Sequence, residues 1–160
     1  MLARFDPVLL TQVALVVTAA LAGLSWTIQL VHYPLFRRVG AAEWIGYHSE
    51  HVKRITPLVG PLMVGELVLS IGLAVLAWPA NRMIAVTMVL SLVAIWWLTR
   101  MAVLVHEALA GRAAVRRGGR SLLDRDQLIG MLLRVDLGRS LLWTGRVVLL
   151  FWWLRLGAPG

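Results

Sequence analysis

From Val8 to Val31 the chain carries no charged residue. Wound as a helix at about 1.5 Å per residue, a stretch of that length crosses the ~30 Å hydrocarbon layer of a bilayer. Three further apolar segments come after it. Ile55 to Ala80 is interrupted only by Glu66, Met83 to His106 only by Arg100, and Val135 to Leu154 by Asp136, Arg139 and Arg146. With 59% hydrophobic residues and a mean hydropathy of +0.78, a 160-residue chain has more apolar surface than a water-soluble fold of this size can hide. In lipid at this connectivity only helices satisfy their own backbone groups. The expected fold is therefore all-α: one domain over residues 1–160, a four-transmembrane-helix up-down bundle with a short amphipathic cytoplasmic helix between helices 1 and 2. Arg4 ahead of an apolar run that contains Ala20-Leu21-Ala22 imitates a signal peptide, but the run is too long for one and is read as a retained span.

The formal charge of +8 is explained by topology. Arg37, Arg38, Lys53 and Arg54 lie between the first two spans, and Arg112, Arg116, Arg117, Arg120, Arg125 and Arg134 lie between the last two. Only Arg4, Arg82 and Arg155 fall on the other side. The positive-inside rule then puts both long connections in the cytoplasm and both termini outside, and no nucleic-acid partner is needed to account for the charge. With no cysteine there is no disulfide, thiolate or iron–sulfur site, so any metal must be held by histidine, carboxylate or carbonyl oxygen. Trp152-Trp153 fits a headgroup belt at a span end, whereas Trp96-Trp97 lies mid-span and is expected to pack inside.

Ionisable side chains are costly in lipid, so those within spans are candidates for function. Asp136, Arg139, Trp143 and Arg146 fall at i, i+3, i+7 and i+10 and form one stripe that must face inward. The simplest neutralisation pairs Glu66 with Arg100 or Arg146, and Asp136 with Arg139. Ion pairs of this kind can also serve only to fix helix register.

The histidines gather at one level. His32 ends the first span next to Tyr33 and to Pro34, which is expected to end or bend the helix. From Gly40 to Arg54, Trp44, His48, His51 and Ile55 share one helical face, leaving Glu43, Glu50, Lys53 and Arg54 for water. His106 closes the third span at the same boundary. Three readings stay open. The histidines anchor at the headgroups and bind nothing; or His32, His48, His51 and His106, with Glu66, ligate a metal ion (Fe, Cu or Zn) or haem b; or they form a proton relay or quinone-type pocket. Gln29, Tyr33, Tyr47, Arg100, Arg139 and Arg146 are the candidates for surrounding such a cofactor. Further on, Gly118-Gly119 breaks the chain and Ser121 to Asp124 resembles a capping box with Asp in place of Glu. The apolar turn of Leu128, Ile129, Leu132 and Leu133 either lies on the membrane surface or extends the fourth helix.

The motifs W-x-x-Q-x-x-H-Y-P-L-F (Trp26 to Phe36), Y-H-x-x-H-x-x-R (Tyr47 to Arg54), Pro61 with Glu66, and R-S-x-x-W-x-x-R (Arg139 to Arg146) occur together. In them the chain resembles a family of small bacterial four-helix integral membrane proteins with no established activity. That resemblance implies the helix count, the choice of residues and a bacterial inner membrane, and brings no reaction with it. Similarity in size and helix count to anthrone-oxygenase-like membrane proteins is an analogy of fold. The expected function is a membrane-embedded metal- or haem-binding redox protein, engaged in electron transfer or oxidation of a lipophilic substrate. The alternative is a non-catalytic accessory subunit of a larger respiratory or photosynthetic membrane complex. The expected partners are the lipid bilayer and a homo-oligomer or larger membrane assembly.

Overall fold

The computed structural model describes residues 6–79, 81–111 and 124–156. Among them every regular element is helical. Helix α1 (Pro7–Thr27) starts where the Asp6 carboxylate accepts the Val8 N–H at 2.9 Å, with Pro7 in the first turn where its missing N–H costs nothing. Helix α2 runs Trp44–Ala77, α3 runs Arg82–Leu109 and α4 runs Arg125–Arg155. The Asn81 side chain caps α3 by accepting from Ile84 N–H, and Gly111, at φ 73°, takes the left-handed turn just past its end.

At the helix ends, one expectation is corrected and two open ones are narrowed. Pro34 does not end the first helix. Its ring offers no N–H, and the backbone passes through a π-helical segment (Ile28–His32), in which Tyr33 N–H bonds back to Ile28 O. A helical turn (Tyr33–Leu35) and a 3-10 turn (Phe36–Arg38) carry it on. The histidines between the first two spans do not sit on a separate amphipathic helix, because α2 is continuous for 34 residues through Pro57 and Pro61. Each proline removes one backbone N–H, leaving Lys53 O and Pro57 O without their usual helical donor, and the helix nevertheless continues through both. The fourth helix is capped at Asp124, with Gln127 completing the capping box; Ser121 falls outside the described residues. Leu128, Ile129 and Leu132 are therefore part of α4 and are buried in the bundle.

Three helical stretches, Pro7–Arg38, Trp44–Ala77 and Arg82–Leu109, are long and apolar enough to cross a membrane. The expected fourth span does not meet that standard, because α4 carries Asp136, Arg139 and Arg146 within its apolar length. Those side chains face inward, while the outer face of α4 shows Leu141, Val148, Phe151 and Trp152. Trp96 and Trp97 also point outward, contrary to expectation: the buried stripe of α3 is Ala85, Met88, Leu92, Ile95 and Ala102, which leaves both indoles on the far side.

Each long helix packs on two others, α1 on α2 and α4, and α3 on α2 and α4. Close approach depends on small residues. Ala14, Thr18, Ala22 and Ser25 line the buried face of α1, and a Cβ on Gly138 of α4 would stand 3.1 Å from Leu98 of α3. Along the axis the core has three layers. One end is apolar, with Ala14, Leu73, Ala77, Ala85, Met88 and Leu150. The middle contains Leu21, Met63, Ile95 and Trp143. At the other end Tyr33, Phe36, Trp44, Val105, Ile129 and Leu132 pack together, and this is the layer that holds the histidines.

Candidate functional site: a histidine layer and a buried ion pair

All four histidines meet at the aromatic end. The Nε2 atom of His32 lies 2.7 Å from Nδ1 of His51, and Nε2 of His48 lies 3.0 Å from Nδ1 of His106. The other ring nitrogen of His106 is 3.1 Å from the Tyr33 hydroxyl. Ring centroids are 4.4 Å apart for His32 and His51, 5.8 Å for His51 and His106, and 5.2 Å for His48 and His106. The imidazoles thus form one run across the end of α1, the start of α2 and the end of α3. At every nitrogen-to-nitrogen bond one imidazole must present a lone pair, so the doubly protonated form cannot occupy both partners.

The placement has a local structural cause. The extra residue of a π-helical turn rotates the residues beyond it by about 100° relative to an uninterrupted helix. After the π segment Tyr33 and Phe36 are buried and His32 is half-buried against His51. On α2, Trp44, His48 and His51 do share a face, as their spacing predicts. The Trp44 indole N–H donates to Leu109 O at 3.0 Å, which ties the start of α2 to the end of α3 and holds His48 against His106.

Phe36 is the member of the site that sequence reasoning missed. It is fully buried, and its ring edge meets His32 at 5.2 Å and His51 at 5.1 Å. The only sequence signal for it is its place in the H-Y-P-L-F motif. Tyr47 is exposed, with its ring stacked 6.5 Å from His32.

Two clefts border the run of rings. One, of about 550 Å³ between α1 and α2, is walled by Leu24, Ile28, Leu58, Tyr47, His32 and His51, with Glu50 and Arg54 also on its lining. Those two form an exposed ion pair at 2.6 Å. The other, of about 680 Å³ between α2 and α3, has His48 and His106 in its lining beside Lys53, Thr56 and Glu107.

Glu66 is not part of this layer, which corrects its assignment as a metal ligand beside the histidines. It lies fifteen residues along α2 from His51, or about 22 Å. There its carboxylate meets Arg146 at 2.6 Å, with the two side chains 1% and 2% exposed. The same guanidinium donates to Met88 O at 2.8 Å and to the hydroxyls of Ser91 and Ser70, and Ser70 donates to Glu66. Arg146 is thus bound at mid-bundle and is not among the groups surrounding the histidines. Arg100, the other expected partner of Glu66, is exposed on α3 and belongs to neither site. The expected Asp136–Arg139 pair is present at 3.2 Å. Its charges are close enough to Tyr33 to act on it electrostatically, as Arg139 does on His106. Gln29, in the π segment, is half-buried.

Among the described residues no three His, Asp or Glu side chains are grouped as ligands around a common point; the imidazoles are paired with each other instead. No family model matches the chain, and neither does any curated protein or solved structure.

Proposed function

We propose that the chain is a four-helix up-down bundle of the bacterial inner membrane whose histidine layer performs proton-coupled redox chemistry on a lipophilic molecule held in the α1–α2 cleft. The carrying observation is two imidazole pairs bonded nitrogen to nitrogen, His32 with His51 and His48 with His106, whose rings stand 5.8 Å apart at His51 and His106, beside an apolar cleft that reaches the first pair. A neutral imidazole accepts a proton at one nitrogen while releasing one at the other. The bonded chain of His48, His106 and the Tyr33 hydroxyl can therefore move a proton with little motion of heavy atoms, and so can the His32–His51 pair beside it. A cleft of about 550 Å³ suits a ring-sized head with an apolar tail.

Membrane insertion rests on the outward apolar faces of α1, α2 and α3 and on the outward Leu141, Val148, Phe151 and Trp152 of α4. With its polar stripe turned inward, α4 can cross as the fourth span. Exposed Arg37, Arg38, Lys53, Arg54 and Arg134 cluster at the histidine end, which supports a cytoplasmic position for that end and an outside position for the termini. The likeness to small bacterial four-helix membrane proteins belongs to the same reading.

A metal ion or haem b fits the chemistry of the donor set, four imidazoles without a thiolate. His32 with His51, and His48 with His106, would hold it by giving up their mutual bonds, and it would supply the one-electron step. The chain's own part is to bind and orient the lipophilic head at His32 and His51 and to move protons along His106 and Tyr33. The outward Trp96, Trp97 and Trp152 favour a second reading, an accessory subunit packed against other membrane helices, which co-purification at fixed stoichiometry would support.

The test is what the protein retains when purified in mild detergent from a bacterial membrane, read by metal analysis, visible absorption and mass spectrometry of extracted lipophiles. His51→Ala should lower retention of the bound molecule at least tenfold while the protein keeps its elution position. A wild type carrying neither metal, haem nor a stoichiometric lipophile overturns the reading.

A further inference from the structure

Buried polar atoms without a hydrogen-bond partner are concentrated along one line in the bundle. On α4 they are Asp136 Oδ2, Arg139 Nε, Trp143 Nε1 and Arg146 Nε, on successive turns of the inward stripe and spanning about 15 Å of axis. Across from them stand Gln29 Oε1 and Thr18 Oγ1 on the first helix and Glu66 Oε2 on α2. The bond of 2.8 Å between Ser25 and Ser140 lies on the same line. Several of these residues are more than nine-tenths buried, Asp136 and Glu66 at 1% exposed and Trp143 at 0%. Native interiors rarely leave such groups unmet, and where protein supplies no partner internal water does.

The ends of the line differ. At one, Asp136 follows directly on Val135, which packs against the layer of Tyr33, Phe36 and Trp44 that holds the histidines. At the other, below Glu66 and Arg146, the apolar layer of Ala14, Leu73, Ala77, Ala85, Met88 and Leu150 closes the bundle. A lateral cleft of about 390 Å³ between α3 and α4 reaches Arg146, but Leu141, Val148, Leu149 and Trp152 line it, so it offers a path for lipid more than for water.

We propose that the bundle holds a blind, water-filled half-channel that opens at the histidine layer and ends at the Glu66–Arg146 pair, giving that buried pair contact with the aqueous phase. The inference goes beyond the function proposed above and does not depend on what the histidines bind. It also accounts for the buried Glu66–Arg146 pair, in which Glu66 Oε2 and Arg146 Nε have no hydrogen-bond partner.

Hydroxyl-radical labelling of the detergent-solubilised full chain, read residue by residue by mass spectrometry, tests it with an internal control. Trp143 on the line and Trp153 in the apolar layer lie on the same helix and are both buried. Water beside Trp143 predicts labelling at least tenfold faster there than at Trp153. Equal labelling of the two overturns the proposal. The variant Gln29→Leu places an apolar group at the mouth, and its labelling of Trp143 should fall several-fold with Trp153 unchanged. If Trp143 labels as fast in Gln29→Leu as in wild type, the water enters elsewhere and the opening at the histidine layer is wrong. The wild-type comparison stands even where the variant fails to fold.

Discussion

At the histidine layer, the polar groups of three helices bond chiefly to one another and border two clefts, whereas at Glu66 and Arg146 they form a buried ion pair held among α2, α3 and α4. The difference separates what holds the bundle from what can work in it. A buried charge pair is weak evidence of net stabilisation, yet breaking it leaves an uncompensated charge in an apolar interior. It therefore fixes which faces of α2 and α4 meet. Imidazoles can exchange partners, accept or release protons and ligate ions, and here two of them contact a space large enough for a ligand.

The sharpest way to break this comparison is Glu66→Ala, which strands the Arg146 guanidinium. It should destabilise the bundle by about 3–5 kcal/mol, measured by unfolding in detergent. A loss no greater than that of an exposed substitution would mean the pair does not set helix register. Phe36→Ala comes next. Removing a fully buried ring that meets His32 and His51 edge-on should cost on the order of 3–4 kcal/mol and also loosen ligand retention, joining the two regions' properties in one residue.

His48→Ala should cost less, about 1–3 kcal/mol, because it removes one bonded partner from His106. Its main effect should be on function: proton-coupled turnover or retention of the bound molecule, assayed beside the unfolding transition, should fall far more than stability does. A His48 variant that unfolds as readily as Glu66→Ala while keeping its ligand would reverse the roles assigned to the two regions. The smallest effect belongs to Arg100→Ala. Exposed on α3, this residue should change neither the transition nor the retained ligand.

Much of this arrangement is legible in one dimension. Spacing places Trp44, His48 and His51 on one face and Asp136, Trp143 and Arg146 on another, and both faces are turned inward. The pairs Glu66–Arg146 and Asp136–Arg139 are among those expected, since a charge in an apolar segment needs a partner and few are on offer. Depth is less legible. The level of Glu66, far from the histidines, is set by the continuity of α2 from Trp44 through Ile55, where the sequence suggests a loop helix followed by a separate span. The direction of Trp96 and Trp97 is equally hidden, because an indole suits an interior and an outward apolar face equally well.

By itself the sequence determined that the described chain is helical, that at least three of the four expected spans are apolar enough to cross a membrane, and that Asp136, Arg139 and Arg146 share one inward stripe, because hydropathy and the 3.6-residue period are properties of single segments. The tertiary structure decided what those residues meet. The π-helical segment sets the direction of His32, Tyr33 and Phe36, the Trp44 to Leu109 bond brings His48 to His106, and the packing of α2, α3 and α4 chooses Arg146 over Arg100 for Glu66. Contacts between helices depend on rotation and depth together, and no segment carries both in its own sequence.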